Sequence, residues 1–159
     1  MEQAQTQTEH ILATRWARLW AAIIDMMVAM VFVVLLQQLA GLLGKEIVAR
    51  NLSAGERFLL SIMGFAWFIV VNAHLLKTAG QTIGKYFLKI QIVDVQSNQL
   101  LSLNNLIVKR YLPIWVLSAV PGLGSCFSTI NVLFIFGKEK RCLHDLIANT
   151  KVISLEQSS

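Results

Sequence analysis

The sequence predicts an all-α polytopic membrane protein with four membrane-embedded helical segments and a small cytoplasmic β element. Three observations carry that expectation. Of 159 residues, 55% are hydrophobic and only 14% charged, where a soluble domain carries about 25% charged residues. Two apolar runs are long enough to cross a hydrocarbon core of about 30 Å. A third, over 103–136, is too long for one helix and is interrupted by PGLG at 121–124. Mean hydropathy is +0.60. The length fits a single domain, placed at 15–153 between a disordered cytoplasmic N-terminus (1–14) and a disordered tail (154–159).

The N-terminus is polar and carries Glu2 and Glu9. A secretory signal would start basic, have a shorter apolar core and end in a small-residue cleavage site. The first span, over 19–40, therefore reads as an uncleaved helix. A charged, Gly-containing loop with room for one short helix follows over 41–57. The second span covers 58–76, with Trp67 and Phe68 mid-span as packing residues.

Next comes KTAGQTIGKYFLKIQIVDVQSNQLLS. Leu88, Ile90 and Ile92 alternate with Lys89 and Gln91, the period of a strand, and QSNQ signals a turn. An open strand edge cannot lie in lipid, so the strand expected over 88–93 belongs to an aqueous or interfacial face. TKVIS at 150–154 is its expected partner, because an unpaired edge is a liability.

The last apolar region is either one kinked span or a hairpin turning at PGLG. Lys and Arg near the spans decide between them. With three spans and the N-terminus inside, the basic residues divide seven to seven. A hairpin returns the C-terminus inside and makes the division eleven to three. The expectation is therefore four membrane-embedded segments with both termini cytoplasmic. The same rule accounts for the net charge of +5. No nucleic-acid partner is expected, since no basic groove with interleaved aromatics is visible.

Candidate chemistry is sparse. Cys126 and Cys142 lie sixteen apart, with no CxxC, so neither a disulfide nor a metal site is expected. GQTIGK at 80–85 has three residues between its glycines and Tyr86 after its lysine, which fails the phosphate-loop pattern. A tight interfacial turn with Lys85 near headgroups fits better. No hydrolase or metalloprotease signature is present, so neither an enzyme activity nor a cofactor is expected.

Two carboxylates stand out. Arg18 opens the first span and Asp25 follows seven residues later, projecting from the same helical face. A carboxylate near a span centre costs roughly 2.5–3.5 kcal/mol on insertion scales, which pairing or neutralisation must offset. Arg18 and Arg110 are both candidate partners, with Asp145 closing the cluster at the cytoplasmic end. In RCLHDLIANT, His144 and Asp145 read as a proton-entry or gating pair, since a carboxylate tunes a neighbouring imidazole. The plainer readings are a register-fixing ion pair and a clamp on the terminal segment. His10 and His74 are isolated. Asn72 could bond between helices.

Taken together, Arg18, Asp25, GQTIGKYFLKIQIVD and LHDLIANT resemble the RDD family of bacterial membrane proteins, named for one arginine and two aspartates. The resemblance spans about residues 13 to 153 and implies a bacterial inner membrane. It implies that Arg18, Asp25 and Asp145 are the family residues, with Gly80, Gln81, Thr82, Gly84 and Lys85 in the middle motif and Arg110 at a common arginine position. One departure is Asn149, where a Gly often precedes the Thr. The resemblance also implies transport, some members being described as sodium–proton antiporters. Two functions follow as expectations. One is a transporter coupled to a proton or monovalent cation through Asp25. The other is a non-transporting module that stabilises a partner membrane protein. Four short segments enclose little space, so a homo-oligomer or a partner protein in the bilayer is expected.

Overall fold

A computed structural model describes residues 11–44, 52–119 and 142–155. The first helix, α1 (Arg15–Leu42), starts at Thr14, whose hydroxyl accepts from the Ala17 N–H. The second, α2 (Ala54–Ala79), starts with a reciprocal capping box between Ser53 and Glu56, which satisfies two otherwise orphaned helix donors. It ends at Gly80, in the left-handed conformation with φ 60°. A β-carbon there would meet the Ile92 carbonyl oxygen at 2.8 Å, so the position is closed to other residues on two counts.

Both helices are long and apolar enough to cross a membrane. Only 6% and 11% of their most apolar stretches are buried inside the protein. A core helix of a soluble protein would be mostly buried, so both helices are candidate membrane spans. Trp67 and Phe68 pack as expected, Trp67 stacking on Phe32 and Phe68 tilting against Tyr111.

Beyond α2, a short helix α3 (Ile83–Phe87) leads into β1 (Ile90–Asp94), which pairs antiparallel with β2 (Thr150–Ser154). The strand begins two residues later than the alternation suggested, because α3 occupies 83–87. The QSNQ turn is built by Asp94, whose carboxylate accepts from the Gln96 and Ser97 N–H groups. Residues 11–14, expected within a disordered end, instead run along β2. The Ala13 N–H donates to the Val152 carbonyl and the Ser154 N–H to that of Ile11. Ser154 itself closes β2, and the Leu155 N–H donates to the Lys89 carbonyl, so the ordered chain extends past the expected boundary.

The third apolar segment starts as α4 (Leu103–Leu106), passes through a π turn (Ile107–Tyr111) and continues as α5 (Leu112–Ala119). Pro113 lacks an N–H and cannot sit in an ordinary helical ladder. The wide turn just before it absorbs that defect, as π bulges do. The PGLG break, and with it the choice between a kinked span and a hairpin, lies outside the described residues. After it comes α6 (Leu143–Ile147).

The buried core gathers Ala13, Ala21, Leu76, Ile90, Ile92, Leu106 and Val152. It joins the start of α1, the end of α2, the sheet and the start of α4. Among the described residues, burial therefore concentrates at the end that carries the sheet.

Candidate functional site

At the sheet end, the candidate residues form two separate clusters rather than one. The first is a sealed clamp. Asp145, in α6, lies 2.7 Å from Arg110 Nη1 and 3.7 Å from Arg18 Nη1. All three side chains are at most 4% exposed. Arg110 also donates to the Thr150 hydroxyl at 2.8 Å, and Arg18 to the Val152 carbonyl at 2.8 Å. The Cys142 N–H donates to Asp145 Oδ2, the oxygen that faces Arg18. The π turn points Arg110 inward, so an arginine in an apolar segment meets protein rather than lipid, while Lys109 is exposed. Thr150 and the Val152 backbone went unseen in the sequence, where both read only as strand residues.

The clamp holds α6 and β2, from the far end of the chain, onto α1 and the π turn. Removing one member would leave a buried charge uncompensated. Burial also pushes the Cys142 thiol up to about 11, with the Asp145 charge adding to it. With Cys126 replaced by serine, Cys142 should therefore resist maleimide at neutral pH until the protein is denatured. Rapid labelling of the folded protein would contradict this packing.

Asp25 belongs to the second cluster, and its expected pairing with Arg18 or Arg110 is corrected. Thr82 Oγ1 donates to Asp25 Oδ2 at 2.6 Å, and the Gly84 N–H donates to Oδ1 at 2.8 Å. Lys85 Nζ lies 3.9 Å from Oδ2. Both arginines are committed to the C-terminal segment. Asp25, two helical turns beyond Arg18, faces α3 instead. Sequence spacing gave the correct face of α1 but not the element that would cover it.

The GQTIGK stretch is what brings α3 there. Gly84 packs directly on α1, where a β-carbon would fall 2.0 Å from the Ala21 carbonyl oxygen. The expected turn is thus a helix packed through its glycine. Its first N–H groups are capped from two neighbouring helices, Ile83 by Asn72 Oδ1 and Gly84 by Asp25. Asn72 therefore does bond between helices. Gln81 is buried and donates to the Ile90 carbonyl at 3.0 Å, tying the connection before α3 to β1.

Asp25 and Lys85 remain 19% and 15% exposed at their side chains, unlike the sealed clamp. Desolvation pulls the Lys85 ammonium below the ordinary lysine value, with the Asp25 charge opposing it. His144 has its backbone in α6, and its side chain lies outside the described residues.

A model described as the RDD family matches residues 12–149. The chain belongs to the RDD family. This is a family of membrane proteins, which agrees with the two apolar helices and the placement of their exposed surfaces. No curated protein and no solved structure matches the chain. Within the RDD frame the three residues expected from the resemblance divide their work. Arg18 and Asp145 meet across the fold, while Asp25 anchors α3. The departure at Asn149 has a physical account. That residue sits at φ 52°, a left-handed conformation that Gly adopts freely and Asn tolerates better than most.

Proposed function

We propose that this RDD protein exchanges a proton for a monovalent cation at the Asp25–Thr82–Lys85 cluster. The observation that carries the reading is the contrast between the two clusters. The Arg18–Asp145–Arg110 clamp is sealed and tightly bonded. Asp25 and Lys85 are partly exposed, sit 3.9 Å apart, and include a lysine that burial makes a weaker base for protons. When Lys85 is protonated, it is the counter-ion of Asp25. When it releases its proton, a cation takes its place beside Asp25 and the Thr82 hydroxyl oxygen. One proton leaves for each cation bound, so the exchange balances charge.

The orientation belongs to the same proposal. The sheet end, with Lys77, Lys89 and Lys109 exposed, faces the bacterial cytoplasm, in keeping with the positive-inside rule. The four-segment topology with both termini on that side is part of the proposal, and its fourth segment lies outside the described residues. A homo-oligomer or a second membrane protein completes the conducting path. A non-transporting scaffold is the second reading, favoured by the clamp, whose bonding suits it to holding a shape.

Reconstitution into liposomes with a trapped pH dye tests the proposal, with Na⁺, K⁺ and Li⁺ added in turn. The wild type should show cation-dependent proton movement. Asp25→Asn and Lys85→Gln should each reduce it to background while remaining folded. Full flux from a folded Asp25→Asn protein would eliminate the exchange site. Absence of flux in the wild type would leave the scaffold reading.

A further inference from the structure

Four large aromatic side chains at the sheet end have no place in the core. Trp16 and Trp20 on α1 are 68% and 55% exposed, and Tyr86 and Phe87 on α3 are 57% and 68% exposed. Their two helices are locked at one level by the Gly84–Ala21 contact. Trp and Tyr collect where a membrane meets water, because their rings are apolar and their N–H or O–H is not. From Trp20 to the end of α1 at Leu42 is twenty-two residues, or about 33 Å, close to the ~30 Å thickness of a hydrocarbon core. On the other side of that level lies the sheet, whose polar backbone edges require water or protein.

We propose that α3 is an interfacial helix, seated by Tyr86 and Phe87 in the headgroup–acyl boundary of a phospholipid bilayer, with Trp16 and Trp20 as the matching belt on α1. This sets the bilayer plane near Ala21 and Gly84. Asp25 then lies about 6 Å below that plane, four residues along the helix. Arg18 lies about 4.5 Å above it, on the water side with Asp145. The two family carboxylates therefore occupy opposite sides of the boundary. The acidic group inside the lipid level is the one that needs Thr82, Gly84 and Lys85 around it, and the lipid-seated helix delivers all three. This depth assignment rests on exposure and packing, not on the exchange reaction.

The native tryptophans supply the test. Variants that keep only Trp16, only Trp20 or only Trp67, the others changed to phenylalanine, are reconstituted into phosphatidylcholine–phosphatidylglycerol vesicles. The vesicles carry a spin label either near the carbonyl end or near the methyl end of the acyl chain. Trp16 and Trp20 should be quenched several-fold more by the shallow label. Trp67, in the middle of α2, should show the opposite preference. Deep-label preference at Trp16 and Trp20, or no lipid quenching there, overturns the assignment. In the same vesicles the Tyr86→Ser/Phe87→Ser double variant should unseat α3, raising the acylation rate of Lys85 several-fold. A folded double variant with unchanged Lys85 reactivity would show that the aromatic pair does not seat the helix. If the double variant does not fold, the tryptophan depths decide alone.

Discussion

Arg110→Ala is expected to prevent stable folding. Asp145 is 1% exposed and its closest cation is Arg110 at 2.7 Å. Truncating one partner of such a buried pair costs about 3–5 kcal/mol, because the remaining charge keeps its desolvation penalty and loses its compensation. That is a large part of the roughly 5–15 kcal/mol by which a domain is stable. Thr150 would also lose its Arg110 donor. Thermal unfolding in detergent, followed by tryptophan fluorescence and size exclusion, should show a large fall in midpoint or aggregation. Arg18→Ala should cost less, since its Asp145 contact is 3.7 Å. The Arg110→Met/Asp145→Leu pair should recover part of the loss, because it removes both charges together. A single Arg110→Ala protein with an unchanged midpoint would show that the clamp contributes nothing to stability.

Gly84→Ala is expected to separate α3 from α1. The added methyl would meet the Ala21 carbonyl oxygen at 2.0 Å, the Ala21 carbonyl carbon at 2.9 Å and Asp25 Cγ at 3.0 Å. The first two are backbone atoms of a long helix and cannot swing aside. Overpacking typically costs about 1–3 kcal/mol, and more where the obstacle is rigid. The displacement should break the Thr82 and Gly84 bonds to Asp25, so cation-dependent flux should fall together with stability. Ala21→Gly should not rescue the variant, because the clash is with the carbonyl group and not with the Ala21 side chain. Gly64→Ala in α2 is the matched control. Its added methyl would meet only the Phe32 ring, at 3.9 Å, so the midpoint should hardly move. Equal behaviour of the two variants would refute the close approach of α3 to α1.

The sequence by itself determined the membrane class, the two long helices, and the pairing of TKVIS with the strand after GQTIGK. These are properties of local pattern. An apolar run of lipid length, an alternation of period two, and charged residues in an apolar chain can each be read from neighbours alone. Its family membership was legible for the same reason, through motifs in a fixed order. Partner choice was not. Arg18 and Asp25 share a helical face, and Arg110 is a cation of suitable type, so spacing allowed Asp25 to pair with either. Only the tertiary structure decided that α6 brings Asp145 to both arginines, that β2 brings Thr150 to Arg110, and that α3 covers Asp25. The reason is that pairing between distant segments depends on which backbones can approach closely. Here that is set by the absence of a side chain at Gly84, by the left-handed turn at Gly80 and by the π turn that aims Arg110 inward.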